Sequence, residues 1–148
     1  MLDAIKASGN RKTYDLVSLL IGVNNQYRGQ SKERYRTEFR DLLQTAIKFA
    51  NGRPGRVFVL SIPDWGASPY ARGRNRNQIA DEINAFNAIA QQECKSAGVS
   101  YVDITPLTRQ AAGEESQFAS DGLHYSGKQQ RQWAEIALPT ATSLLATP

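Results

Sequence analysis

Three short, almost wholly apolar segments, separated by long amphipathic ones, constrain the fold of this chain more than any other feature. The apolar segments are residues 14–21 (YDLVSLLI), 56–62 (RVFVLSI) and 100–104 (SYVDI). A strand with one face in water alternates apolar and polar residues, whereas a continuous apolar run is typical of a strand covered on both faces. The sequence therefore predicts three strands of a parallel sheet.

The segments between these strands have the period of amphipathic helices. A helix is predicted from about Lys32 to Ala50, and a second one from about Asn75 to Ser96. The apolar residues of the first helix recur at helical spacing. They are Tyr35, Phe39, Leu42, Leu43, Ala46 and Ile47. Alternation of strands and helices requires right-handed crossovers, so it predicts an open parallel sheet with helices on both faces.

The rest of the chain is less regular. Residues 2–8 are predicted as the tail of a helix, residues 23–26 (VNNQ) as a polar loop, and residues 105–123 as an irregular stretch before a last helix. A length of 148 residues suits one domain that spans residues 1–148.

Polar and aromatic residues follow the ends of the predicted strands. Asn24 follows the first strand, Trp65 follows the second, and the segment with Asp121 and His124 comes after the third. In open parallel sheets, ligands bind outside the carboxyl ends of the strands. We therefore expect these residues to share one rim of the sheet.

Residues 121–124 (DGLH) contain the only histidine of the chain. Histidine titrates near neutral pH without perturbation, and a carboxylate that accepts from Nδ1–H leaves Nε2 free as a base. Asp121 and His124 therefore have the composition of the Asp–His half of a hydrolytic triad. The alternative is a solvated loop histidine, because so short a motif often occurs by chance.

Composition and charge argue against several other functions. The densest basic cluster of this +4 chain, residues 72–76 (RGRNR), has no interleaved aromatic residue, which favours a solvated loop over a nucleic-acid site. Cys94 lies at apolar helical spacing, so we expect a buried structural thiol. One cysteine and one histidine do not make a zinc site, and we expect no metal and no other cofactor.

No segment suggests a membrane protein. No run approaches the ~18 apolar residues of a membrane span, and the first residues lack the pattern of a signal peptide. The expected location is the cytoplasm, and secretion stays open if the natural chain is longer.

These residues resemble the SGNH, or GDSL-type, serine hydrolases. That family has G-x-N-D after its third strand and D-x-x-H before its last helix; residues 22–25 (GVNN) resemble the first block and residues 121–124 match the second. The segments YDLVSLLIGVNNQYRG, VFVLSIPDWG and DGLHYSGKQ are also similar, so the resemblance covers essentially the whole chain. It implies an SGNH-hydrolase-like α/β domain with three layers: a flavodoxin-like open parallel sheet with helices on both faces.

The resemblance also implies roles for three residues. Asn24 would donate its side-chain amide to the oxyanion, His124 would act as general base and then as acid, and Asp121 would orient the imidazole. An oxyanion donor stabilises the transition state by about 2.7–4 kcal/mol. The implied substrates are small acyl esters or acylated sugars. From the residues alone, the alternative for Asn24 is a turn residue after a strand.

The chain departs from the family pattern in two places. Asn25 stands where the family usually has Asp, a position to which no catalytic role is carried over. The Gly-Asp-Ser block that bears the nucleophile occurs nowhere in the sequence. We therefore expect an N-terminally truncated fold that lacks at least one βαβ unit, on the order of 30 residues. A fragment, a decayed reading frame and a separate polypeptide that supplies the rest are all open alternatives.

Two serines could replace the missing nucleophile. Ser68 follows the second strand, and Ser126 lies two residues after His124. Ser68 is better explained as a loop residue and Ser126 as the cap of the last helix. Two functions therefore share the predicted fold: an SGNH-type ester hydrolase, and a non-catalytic α/β binding module or inactive remnant of such an enzyme.

Loss of the family's first strands would make residues 14–21 the edge of the sheet. The apolar residues of this segment are Leu16, Val17, Leu19, Leu20 and Ile21. The segment has no proline and no inward-facing charge, so it lacks the usual protection of an edge strand. We therefore predict self-association, most simply as a two-fold homodimer that pairs this strand antiparallel with its copy.

Overall fold

A parallel sheet of three strands lies at the centre of the computed structural model, which describes residues 1–146. The strands are β1 (Val17–Leu19), β2 (Val57–Leu60) and β3 (Ser100–Val102), and they lie side by side in that order. Both neighbouring pairs are parallel. The predicted open parallel sheet is therefore confirmed. The predicted domain of residues 1–148 includes residues 147 and 148, which lie outside the described part.

Helices lie before, between and after the strands. Within residues 1–146 they are α1 (Leu2–Ala7), α2 (Val23–Tyr27), α3 (Lys32–Phe49), α4 (Arg76–Ala97), α5 (Thr105–Gln110) and α6 (Gly127–Ala146). Short 3-10 turns occupy Pro54–Arg56, Trp65–Ala67, Pro69–Ala71 and Glu115–Gln117. None of the helices in this described part combines the length and the apolar character that crossing a membrane requires.

The middle strand shows why the apolar segments are continuous. Successive side chains of a strand point to opposite faces of the sheet. Val57 and Val59 pack in the cluster formed with α3 and α4, whereas Phe58 and Leu60 pack against α6 on the other face. Both faces of β2 are thus covered, and the predicted three-layer arrangement is confirmed.

Capping residues mark the ends of the two long helices. The Ser31 side chain accepts from the Arg34 N–H at the start of α3, and the Asn75 side chain accepts from the Gln78 N–H at the start of α4. Gly98 ends α4 in the left-handed conformation with φ of 70°. The predicted range 32–50 differs from α3 by one residue at its end, and the predicted range 75–96 differs from α4 by one residue at each end.

The first strand is shorter than predicted, since only Val17–Leu19 of residues 14–21 pair with β2. The reason is the length of the partner: β2 has four residues, and the 3-10 turn Pro54–Arg56 precedes it directly. Before the strand, Tyr14 donates its N–H to the Phe49 carbonyl at the end of α3 instead.

The prediction of a polar loop at residues 23–26 is wrong, because these residues lie in α2. Gly22 makes the sharp entry into this helix with φ of 123°, a conformation that side chains with a Cβ rarely adopt. A Cβ at this position would lie 2.7 Å from Ile62 Cδ1 and 2.8 Å from Tyr35 Oη. Glycine is therefore required here by both conformation and space.

The prediction of an irregular stretch at residues 105–123 is wrong in part. Residues Thr105–Gln110 form α5, with Pro106 in its first turn, where the missing N–H costs nothing. The buried Thr108 hydroxyl donates to the Thr105 carbonyl at 2.7 Å. A helix of six residues is too short to show a helical period in the sequence.

Strand β1 is an edge strand, since it pairs with β2 and with no other strand of residues 1–146. Most apolar side chains of residues 16–21 nevertheless pack on the chain's own core: Val17, Leu19 and Ile21 on one face and Leu16 on the other. Leu20 remains 39% exposed. The apolar surface at this edge is therefore smaller than the sequence suggested.

Self-association through β1 stays a prediction, and a charge on the strand tests it. Ser18 is exposed in the middle of β1, so Ser18→Lys places like charges opposite each other in a strand pair and blocks pairing. We expect sedimentation at tens of micromolar, about ten times a micromolar Kd, to show a dimer that becomes a monomer in this variant. Ser96→Lys, at an exposed position of α4, is the charge-matched control. A monodisperse monomer of the unsubstituted chain would contradict the prediction.

Candidate active site

A cleft of about 440 Å³ opens at the carboxyl end of the sheet. Its lining residues are Leu20, Val23, Asn24, Tyr27, Pro63, Trp65, Leu123, His124, Tyr125, Gln130 and Trp133. Asn24, Trp65 and His124, which the sequence places after three different strands, thus meet in one cleft. The structure thus places these three residues on one rim of the sheet, as expected. Their shared position does not by itself assign a role to any of them.

Asp121 orients the imidazole of His124. Its Oδ2 lies 2.5 Å from His124 Nδ1, and its Oδ1 accepts from the N–H groups of Leu123 and His124, each at 2.9 Å. The hydrogen bond from His124 and then the two backbone N–H groups lower the pKa of Asp121 to about 2. The carboxylate is therefore ionised near neutral pH and can only accept hydrogen bonds.

The ionised carboxylate decides which nitrogen of the ring carries the proton. Because Asp121 can only accept, Nδ1 of His124 must donate, and in a neutral imidazole the lone pair then lies on Nε2. Nothing within residues 1–146 forms a hydrogen bond with this Nε2. The side chains of His124 and Asp121 are 76% and 50% exposed, so the pair faces solvent at the mouth of the cleft.

The loop that carries the pair is fixed to the rest of the fold by its neighbour. The buried Tyr125 donates its hydroxyl to the Asp64 carbonyl at 2.6 Å, and its ring packs edge-on against Trp133 of α6 with centroids 5.3 Å apart. The Ala119 N–H donates to the His124 carbonyl at 2.8 Å. Backbone and side-chain contacts therefore hold the imidazole in place from both ends of the loop.

Asn24 lies in α2 with its side chain exposed on the cleft. No hydrogen-bond partner for its amide exists in the described part of the chain. The next residue is different: Asn25 donates to Gln30 and, at 3.0 Å, to Glu38 of α3. The amide of Asn24 is thus free to donate to a ligand, whereas that of Asn25 joins two helices.

Gln26 holds α2 against the rest of the site and was missed by sequence reasoning. It is 4% exposed, its Oε1 accepts from Trp65 Nε1 at 2.7 Å, and its Nε2 donates to Glu82 of α4 at 2.7 Å. Both partners are distant in the sequence, so no local pattern could have revealed the bridge. Through it, α2 is tied to the loop after β2 and to α4.

Among residues 1–146, none of those that line the cleft is a serine, threonine or cysteine. Ser68 is fully buried and donates its hydroxyl to the Trp65 carbonyl at 2.6 Å, while Ser126 donates to the Ser116 carbonyl at 3.0 Å. Cys94 is buried in α4, and burial raises the pKa of its thiol to about 12. Neither serine proposed as a replacement nucleophile therefore reaches His124 through the cleft.

The sequence profile of the GDSL-like lipase/acylhydrolase family matches residues 1–132. A comparison with curated protein sequences gives no significant match.

Solved structures share the fold. TesA is 20% identical with a TM-score of 0.65, over 97% of this chain and 69% of its own. LAE5, an α/β hydrolase enzyme from the metagenome of Lake Arreo in Spain, is 15% identical with a TM-score of 0.64, over 88% of this chain and 61% of its own. The lipase/acylhydrolase from Enterococcus faecalis is 20% identical with a TM-score of 0.57, over 87% and 62%. The chain thus spans about three fifths to two thirds of the length of these proteins, and at such identities the likeness concerns the fold.

Asp121→Asn tests whether the carboxylate sets the tautomer of His124. Asparagine keeps an oxygen for the two backbone N–H groups but turns an amide donor toward Nδ1, which must then accept. We expect the Nδ1–H tautomer in the unsubstituted chain and the Nε2–H tautomer in the variant. ¹⁵N chemical shifts of the imidazole at about pH 9, above the ordinary histidine pKa, distinguish the two forms, and the single histidine makes the assignment unambiguous. The control is Asp81→Asn, at an exposed position of α4; an unsubstituted chain in the Nε2–H form would contradict the geometry.

Gln26→Ala tests the bridge that holds α2. The substitution leaves the buried Trp65 N–H without an acceptor and removes one donor from Glu82, so we expect a loss of about 1–3 kcal/mol in the free energy of unfolding. Gln78→Ala removes the donor to the other Glu82 oxygen from an exposed position and should stay within about 0.5 kcal/mol. Urea unfolding measures both. Equal losses in the two variants would show that burial of the bridge contributes nothing to the free energy of unfolding.

Proposed function

The chain belongs to the GDSL-like lipase/acylhydrolase family, and from this membership we propose that its cleft binds an acyl ester between Asn24 and His124. The observation that carries the proposal is that both side chains line the same cleft while Asp121 holds the imidazole. In this proposal the reaction is acyl transfer from the ester to a hydroxyl group.

His124 is the base of the proposed reaction. Its Nε2 takes the proton of the attacking hydroxyl as the new bond to the carbonyl carbon forms, and it returns that proton to the alcohol oxygen as the ester bond breaks. Asp121 keeps Nδ1–H in place and stabilises the imidazolium that exists between the two proton transfers. The 2.5 Å separation of the carboxylate and the ring supports this role.

Asn24 is the proposed donor to the carbonyl oxygen. An amide presents an N–H without titrating, so it serves at any pH at which the base is active. No side chain or backbone group of residues 1–146 is bonded to this amide, which supports the role, because a donor that is already paired would have to break that bond first. Such a donor is worth about 2.7–4 kcal/mol in the transition state.

The cleft suits a small acyl ester. Its volume of about 440 Å³ lies within the ~300–1,000 Å³ that is usual for small-molecule sites. Leu20, Val23 and Leu123 supply apolar walls next to the two polar groups. This lining supports an acyl chain or the carbon skeleton of an acylated sugar as the group that is buried.

A second candidate, a non-catalytic binding module of the same fold, is favoured because none of the described residues that line the cleft is a serine, threonine or cysteine. The two candidates differ in the fate of a bound ester. In the first, the ester is hydrolysed, with His124 assisting the attack of water when no nucleophile is present. In the second, the ester leaves unchanged.

We predict that the chain of 148 residues hydrolyses esters slowly. Loss of the nucleophile from a serine hydrolase costs about 2 × 10⁶ in kcat, and the remaining groups leave roughly 10³–10⁴ over water. We expect saturable hydrolysis of phenyl acetate at such a rate, and a further fall of about 10²–10³ in Asn24→Ala, the usual cost of one oxyanion donor.

The controls distinguish hydrolysis in the cleft from the ester hydrolysis that any exposed imidazole catalyses. Asn77→Ala removes an exposed amide outside the cleft and should leave the rate unchanged. His124→Gln should abolish the saturable part. Intact mass after treatment with a fluorophosphonate should show no adduct. Ordinary esterase rates that Ser68→Ala or Ser126→Ala abolishes would overturn the prediction, whereas ester binding without turnover would favour the binding module.

A further inference from the structure

A guanidinium group lies against three aromatic rings beside the cleft. The guanidinium carbon of Arg74 is 5.8 Å from the ring centre of Tyr27, 5.5 Å from that of Trp65 and 5.0 Å from that of Tyr70. Arg74 Nη2 also donates to Tyr70 Oη at 3.3 Å. Cation–π attraction at these distances holds the group in position. We refer to Arg74, Tyr27, Trp65 and Tyr70 as the arginine cage.

Arg74 keeps most of its hydrogen-bonding capacity. A guanidinium has five N–H donors. Among residues 1–146, Tyr70 Oη is the one acceptor that forms a hydrogen bond with that of Arg74. None of the ion pairs in this part of the chain includes Arg74. Glu82 lines the same depression, but its two oxygens accept from Gln78 at 2.8 Å and from Gln26 at 2.7 Å. The guanidinium group of Arg74 is therefore held by the three rings, and its remaining N–H groups can donate to a ligand.

The arginine cage is continuous with the cleft. Tyr27 and Trp65 line both the cleft of His124 and a neighbouring depression of about 370 Å³ that contains Arg74. A ligand whose ester lies beside His124 can thus extend past the Tyr27 ring to the guanidinium. The two regions are parts of one surface rather than separate sites.

The positive charge of Arg74 acts on the hydroxyl of Tyr27, which lines the cleft. The pKa of the Tyr27 hydroxyl is lowered, first by its hydrogen bond with Tyr70 at 3.0 Å and then by the positive charge of Arg74. The pKa of Tyr70 is raised by the same hydrogen bond, so the charge of Arg74 is the cause that a bound anionic oxygen would also meet. Glu82, the acidic side chain that lines this depression, opposes the effect but is engaged by two amides.

We propose that the arginine cage binds an oxyanionic group of the substrate, a carboxylate or a phosphate, while the ester of the same molecule lies between Asn24 and His124. The proposal rests on the proposed function and narrows the substrates to esters that carry a negative charge. A guanidinium fork pairs with such groups through two parallel hydrogen bonds. Because the rings already immobilise Arg74, little side-chain entropy is lost on binding.

Fluorescence of the full chain reports occupancy of the cleft, since its two tryptophans, Trp65 and Trp133, both line it. Titration compares monoethyl succinate with the neutral diethyl succinate, and 2-acetoxyethyl phosphate with the neutral 2-methoxyethyl acetate. We expect at least one anionic ester to bind about tenfold more tightly than its neutral counterpart, as for a hydrogen bond to a charged group. The pair that shows the preference identifies the anion as a carboxylate or a phosphate.

Three variants assign the preference to the cage. Arg74→Gln should bring the Kd values of the charged and the neutral ester of a pair within about twofold of each other, a difference of ~0.4 kcal/mol. The affinity for the neutral ester should not fall. Arg74→Lys should keep part of the preference, because it keeps the charge but loses the fork. Arg72→Gln makes the same change of charge in the same loop, where Arg72 is exposed and 3.6 Å from Glu115, and should keep all of it.

The outcomes separate this proposal from the proposed function. The cage proposal is overturned if charged and neutral esters bind equally, or if the preference for the charged ester persists in Arg74→Gln. Neither result would contradict the proposal that the cleft binds an ester. If no ester changes the fluorescence of a chain that circular dichroism shows to be folded, the cleft does not bind esters and both proposals fail.

Discussion

Burial of both faces of β2 is the constraint on which the rest of the structure depends. Val57 and Val59 are 0% and 1% exposed toward α3 and α4, and Phe58 is 7% exposed toward α6. Each such side chain contributes about 1.5–3 kcal/mol by leaving water. Because one strand anchors helices on both sides, the loops after β1, β2 and β3 are brought to the same rim. The position of the cleft follows from this packing.

The rim itself is held by polar bridges rather than by apolar contacts. Gln26 is buried and connects α2 with Trp65 and with Glu82 of α4, while Asn25 connects the same short helix with Glu38 of α3. A helix of five residues is too short to be stable by itself. The bridges therefore explain how Asn24 is held beside the cleft, and they give Asn25 a reason to be an amide: a carboxylate there would face that of Glu38.

The sequence could predict the features that rest on local or periodic patterns. The apolar runs predicted the strands, and the helical spacing of apolar residues predicted α3 and α4. It could not predict α2, whose partners lie in other segments, and it overestimated β1, whose length depends on that of β2. The common rim was predictable from topology, whereas the arginine cage depends on contact between the ring of Tyr27 in α2 and the loop after β2, which carries Trp65, Tyr70 and Arg74.

The Asp–His pair differs from the other parts of the site in what holds it. Asp121 binds the N–H groups of Leu123 and His124 with one oxygen and the imidazole with the other, all within four residues. This turn orients the ring with contacts of its own, and Tyr125 then fixes the turn to the fold. The free amide of Asn24 depends instead on the tertiary bridge made by Gln26. A disturbance of the packing between α2 and α4 should therefore move Asn24 while the ring of His124 stays oriented, so the chemistry proposed for this cleft depends on the distance between these two side chains.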